Sequence, residues 1–191
     1  MLRRMLMPSL LALRLCSQFI VSADAVTETC CMCRRAKSAN GLVYVYYSYG
    51  VGLSGVPGAA GYVSAYDNAA ANWDVTPTPV HLHYSSTGSV STNTVYDRYN
   101  GNWGWMNSWP YCTAPGIMTG AQTWINRYIK ERDNWSWQRT QQVAAHELGH
   151  ALGMAQIVDA RDAVMCAGLP DPLPHNYLPR DPDIELLNQI Y

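Results

Sequence analysis

Three residues carry the plainest chemical potential in the chain: His146, Glu147 and His150, within the run His146-Glu147-Leu148-Gly149-His150. Wound as an α-helix, the two histidines fall about 40° apart on one face, one turn from each other. Imidazoles so spaced can offer nitrogens to a single Zn²⁺ at about 2.0 to 2.1 Å each, on an element already rigid. Glu147 sits to one side of the pair, in position to take a proton from a water held by the ion. Zinc lowers the pKa of such a water from about 15.7 to about 7, and the carboxylate can later pass the proton to a leaving amine. Ala144, Leu148 and Leu152 group roughly opposite, so one face binds and the other packs. The chemistry this spacing points to is metal-assisted hydrolysis. A five-residue match of this kind also occurs where two histidines only hydrogen-bond in a core, so the surrounding sequence has to decide.

Gly153 stands where the chain must leave the helix sharply, and Ala163-Val164-Met165 follows it. With that context, His146 to Met154, reading HELGHALGM, resembles the metzincin metalloproteases, with their extended motif H-E-x-x-H-x-x-G-x-x-H or D and downstream Met-turn. It is most similar to the matrixin branch and its small bacterial relatives. Ala69-Ala70-Ala71-Asn72-Trp73 resembles the first helix of such domains, Ala163-Val164-Met165 the Met-turn, and Asp183 to Tyr191 the terminal helix. The resemblance covers about residues 41–191, with specific motifs only at 146–165. It implies an α+β domain of the zincin kind, a mixed twisted sheet with an active-site helix and a C-terminal helix. It implies a zinc metalloendopeptidase with one catalytic Zn²⁺, acting on protein or peptide substrates. His146 and His150 would be zinc ligands, Glu147 the general base, Gly153 the turn residue and Met165 the hydrophobic floor beneath the metal. The strand near Ile117 to Ile129 would be the antiparallel edge to which an extended peptide adds as another strand.

The sequence departs from the family pattern twice. The third-ligand position, three residues after Gly153, holds Gln156, where the family has His or Asp. An amide oxygen is a neutral and poorer zinc ligand. Three alternatives stand open: Gln156 ligates, or Asp159 or Asp162 replaces it because the segment before Met165 looks one residue longer than usual, or activity has been lost. In the last case the chain is a secreted binding module for peptide or glycan on the same scaffold. Cys166 and Ala167 follow Met165, so no tyrosine stands there to stabilise an oxyanion.

The helix carrying the motif should span Trp137 to Leu152, with Ser136 as N-cap and Gly153 as stop. Leu42 to Tyr49 is almost wholly β-branched or aromatic and reads as a strand, and Val51 to Gly61 as a glycine-rich loop. Tyr62 to Trp73 reads as a helix with Tyr62, Tyr66, Ala69, Ala70 and Trp73 on one face. Val80 to Tyr84 and Asn93 to Tyr99 alternate as strands do, and Ile117 to Ile129 has high strand propensity. A last helix follows Pro182, with Asp183 as cap and Ile184, Leu187 and Ile190 on one face. His81 and His83 alternate on one strand face and read as surface or cross-strand residues, while His175 lies among prolines. Trp103, Trp105 and Trp109 with Tyr111 fit either a substrate-binding surface or satellite core.

A chain of 191 residues asks for one main domain. Charged residues make up only 14% and the net charge is −1, so no basic stripe exists to hold nucleic acid. Arg3 and Arg4 precede an apolar run from Leu10 to Val21 and then Ala23-Asp24-Ala25, the pattern of an export signal removed after Ala25. Residues 26–40 then read as a short leader or linker, and 41–191 as the catalytic domain of a secreted monomer with no membrane span after cleavage. In an oxidising compartment Cys112 and Cys166 are natural disulfide partners, unless each is simply a buried small hydrophobe. Cys30, Cys31 and Cys33 could supply a thiolate to the metal's open position, although the family's usual inhibitory motif is absent. Ca²⁺ loops of the EF-hand kind are not visible.

Overall fold

The computed structural model describes residues 33–50, 53, 59–86, 93–98, 106–113, 116–158, 160–166 and 177–191. The segment read as an export signal, Cys30, Cys31, Trp103, Trp105, Asp159 and His175 lie outside the described residues, as does the side chain of Trp109.

The elements in chain order are β1 (Arg34–Arg35), β2 (Val43–Tyr49), α1 (Ala59–Asp74), β3 (Val80–Tyr84), β4 (Asn93–Arg98) and β5 (Met106–Thr113). They continue with β6 (Ile117–Asn126), α2 (Arg127–Arg132), α3 (Trp137–Ala151) and α4 (Asp181–Ile190). The fold is α+β with a mixed sheet. β3, β2, β4 and β6 are parallel neighbours in that order, β1 is parallel to β6, and β5 alone runs antiparallel to it. Val43 and Val45 on β2 and Val80 and Leu82 on β3 face the core, while the residues between them face away. This period-2 alternation lets a sheet cover helices on one side only.

α1 begins at Ala59, three residues before the expected start, and buries Tyr62, Tyr66, Ala69, Ala70 and Trp73 against the sheet and α3. The indole of Trp73 donates to the Ala145 carbonyl at 2.9 Å, which fixes α1 against the middle of α3. α3 is buried along most of its length, with Val143, Ala144, Leu148 and Leu152 fully enclosed.

Three expectations need correction. The strand foreseen over Ile117 to Ile129 stops at Asn126, and Arg127–Arg132 is helical. Strand propensity misleads there because Ile129 is a buried helix residue, with Arg127 and Glu131 paired one turn apart at 3.9 Å. Nor is this strand the edge: over Ala121–Ile125 it lies between β4 and β5, and the antiparallel outer strand is β5. β5 holds Pro110, which has no N–H to donate and suits an edge. The disulfide joins Cys33 to Cys112, with Cα atoms 5.8 Å apart, and Cys166 is buried elsewhere, in the turn after α3. β1 and β5 both pair with β6 at Ile117 and Met118, which brings those two cysteines together.

The folded body accordingly starts upstream of Gly41, and residues 33–35 are part of it rather than a leader. Arg35 is buried, its Nε donating to the Ala151 carbonyl at 2.9 Å. A cation at the last carbonyls of a helix meets the negative end of its dipole. The backbone N–H of Arg35 donates to the Tyr191 hydroxyl, which itself donates to the Leu152 carbonyl, each at 2.9 Å. The start of the described chain and α4 therefore meet on the end of α3. Among the described residues, no helix is long and apolar enough to cross a membrane.

Candidate metal centre

α3 starts and stops where the sequence requires. The Ser136 hydroxyl accepts from the Arg139 N–H at 3.1 Å, as an N-cap should. At the other end Gly153 has φ +92°, its N–H donates to the His150 carbonyl, and the Met154 N–H donates to that of Gly149. This is a Schellman closure, and it needs a residue that tolerates the left-handed region. A Cβ on Gly153 would also stand 2.8 Å from the Cys33 carbonyl oxygen.

Within that frame the two histidines are fixed by backbone oxygens. His146 Nδ1 lies 2.8 Å from the Val164 carbonyl, and His150 Nδ1 lies 2.9 Å from that of Met154. A carbonyl only accepts, so Nδ1 carries the proton in both rings and each Nε2 keeps its lone pair. The ring centroids are 4.8 Å apart with planes at 88°. Burial pushes His146 down to about 4, helped by the neighbouring His150, and burial also lowers His150. Both rings are neutral near pH 7, the form that binds a metal. Glu147 is buried beside them, and burial raises its carboxyl to about 8.

Beneath the helix, Met165 is fully buried, and a Cβ on Gly149 would collide with its sulfur. Gly149 thus leaves room for the Met165 side chain, which would have to move for any larger residue at that position. That turn is held in place by Asp183, fully buried on α4. The carboxylate accepts from the N–H groups of Val164, Met165 and Arg180, each at 2.9 Å. Burial raises the Asp183 pKa while these three bonds pull it down. Sequence reasoning finds only a capping role for Asp183. It does accept the Arg180 N–H, but α4 starts at Asp181 with Arg180 as N-cap, and Asp183 also acts on the turn 18 residues away. Asp183 fixes Val164, and Val164 fixes the His146 ring. Nothing local in the sequence announces that connection.

The structure thus brings together His146, Glu147 and His150 above Met165, as their spacing implies. Gln156 is exposed, in a stretch pinned by the Ile157 N–H donating to the Met165 carbonyl at 2.7 Å. Asp162 is exposed near Asp183, whose pKa it helps to raise. Among the described residues, no three His, Cys, Asp or Glu side chains are grouped to hold a metal. His81 and His83 lie on the outward face of β3 and touch Tyr44 and Tyr46 across the strands, far in the sheet order from β5. No protein-family model matches the sequence, and no curated protein matches it.

Proposed function

We propose that the chain is a zinc-dependent endopeptidase on a metzincin-like domain, cleaving internal peptide bonds of proteins. The observation that carries the reading is the pair of neutral imidazoles one turn apart, each with Nδ1 tied to a backbone carbonyl and Nε2 left as an acceptor. Metal-binding histidines are commonly oriented by such outer hydrogen bonds. The donor set fits zinc: His146 and His150 would hold it, with Gln156, Asp159 or Asp162 as the third ligand. When bound, the ion would lower the pKa of a water to about 7 and polarise the scissile carbonyl.

Glu147 would take the proton of the attacking water at its carboxylate and return it to the leaving amine. Its burial holds it protonated at neutral pH, but a dication alongside favours the carboxylate. Met165, fully buried against Gly149, fills the space beneath this part of α3. The peptide would lie extended along β5, the outer antiparallel strand that packs against α3, making strand-like backbone bonds to it. Export is supported by the N-terminal pattern and by the Cys33–Cys112 disulfide, a bond that persists in oxidising compartments.

The exposure of Gln156 favours a second reading, a secreted binding module without catalysis that keeps the same scaffold. Zinc content after dialysis against metal-free buffer, together with Glu147→Gln, separates the two. The enzyme reading expects about one zinc per chain and a fall of roughly 10²- to 10⁴-fold in peptide hydrolysis for the variant, with zinc retained. Absence of zinc, or turnover indifferent to Glu147, would leave the binding module.

A further inference from the structure

Among the described residues, β3 ends the sheet on the side away from β5, and its outward face carries His81 and His83. Residues two apart on a strand share a face, with Cβ atoms about 6.6 Å apart. The two rings lie nearly parallel, 17° between planes and 6.3 Å between centroids. His83 is exposed and His81 partly so, while Val80 and Leu82 serve the core from the other face.

Asp74, the last residue of α1, stands behind His81. Its Oδ1 accepts the Leu82 N–H at 3.0 Å and lies 3.1 Å from His81 Nδ1. The backbone bond fixes the carboxylate, and the carboxylate assigns the His81 proton to Nδ1. In the neutral ring, Nε2 of His81 then keeps its lone pair. Tyr44 stacks against both imidazoles, with centroids at 5.8 and 5.9 Å, and Tyr46 lies 5.7 Å from His83, so the rings are confined between aromatic neighbours.

From this geometry we infer that His81 and His83 form a second metal site, a two-imidazole chelate for a divalent transition ion with Asp74 as the outer support of His81. Nitrogen ligands on a single ion at about 2.0 to 2.1 Å stand roughly 3 Å from each other. Reaching that from the observed stack requires the exposed His83 side chain to rotate toward His81, out of its contacts with Tyr44 and Tyr46. Water completes the coordination. Two imidazoles and water, without thiolate, favour Cu²⁺ over Ni²⁺ and Zn²⁺. The site uses no residue of α3 and stands whether or not the proposed peptidase activity does.

The test is titration of the intact metal-free protein with Cu²⁺ alone, followed by calorimetry and electron paramagnetic resonance. The expected result is a bound Cu²⁺ whose spectrum shows coupling to two nitrogens. Asp74→Asn should weaken it about 10- to 100-fold, as loss of outer-shell support does, and His83→Ala by more than that. His150→Ala, which removes a ligand of the α3 site, should leave this signal in place. His83→Gln checks that the loss does not come from the smaller side chain. The inference is overturned if Cu²⁺ affinity and spectrum are the same in the parent and both His83 variants. It is equally overturned if the parent binds no ion beyond one that His150→Ala abolishes.

Discussion

At the scale of single residues, the burial of Glu147 ties its protonation to stability in a way that pH exposes. Its ordinary value of 4.5 is raised to about 8 in the folded, metal-free protein because burial penalises the charged form. The folded state thus holds its proton more tightly than the unfolded state does. Whatever Glu147 contributes is fully present below about pH 4.5 and is lost as pH rises toward 8. His146 works in the opposite sense, since its value falls to about 4, and its cost is felt as pH drops below 6.5. Glu147→Gln removes the first effect alone. In metal-free protein, urea denaturation should find the variant more stable than the parent by roughly 1–3 kcal/mol at pH 8.5, after allowing for the amide's own burial. At pH 4.5 the gain should vanish. A difference that does not change with pH would mean that the carboxyl is hydrated, contrary to its burial. The same residue shows what was legible at this scale. The placement of His146 and His150 on one face of α3, with Glu147 to one side, could be read directly, because helical spacing fixes side-chain directions whatever surrounds them. The tie of each Nδ1 to a carbonyl could not, because the acceptors belong to turns beyond the helix.

At the scale of elements, α3 was legible almost to the residue because its signals are local: Ser136 bonds to Arg139, and Gly153 takes a positive φ. Strand boundaries were less so. Ile117 to Ile129 looks continuous in propensity, yet the chain turns helical at Arg127, where packing of Ile129 outweighs intrinsic preference. The edge position of β5 was also hidden, since strand order depends on pairings between distant segments. α4 has the largest unannounced role, because through Asp183 it holds the turn that orients His146. Asp183→Asn keeps the size of the side chain but replaces one acceptor oxygen with a donor amide, so the three N–H bonds cannot all be kept. If the zinc reading holds, the variant should bind zinc about 10- to 100-fold more weakly, as measured by competition with a chromogenic chelator. Its helical content should be close to the parent's. Unchanged zinc affinity would limit Asp183 to capping α4.

At the scale of the whole molecule, the α+β class was legible from the alternation of strand-like and helix-like segments. The pairing of Cys33 with Cys112 was not, because it depends on two strands meeting on a third. The bond closes a loop with a sequence separation of 79 and ties β1 to the outer strand. Its removal by Cys33→Ser with Cys112→Ser should cost about 2–5 kcal/mol in chemical denaturation. Unaltered stability would show that β1 is held by Arg35 and its partners alone. The same bond sets a problem of timing. Cys30, Cys31 and Cys33 leave the ribosome together, long before Cys112 exists, and Arg34 has no sheet to join until Ile117 follows. An oxidant that meets the growing chain early therefore finds only thiols upstream of Cys112 to link, three of them within four residues. The native bond then comes from exchange among them once the outer strand has arrived, so maturation should speed up with a disulfide-shuffling catalyst and slow down with an oxidant that traps the first pairing.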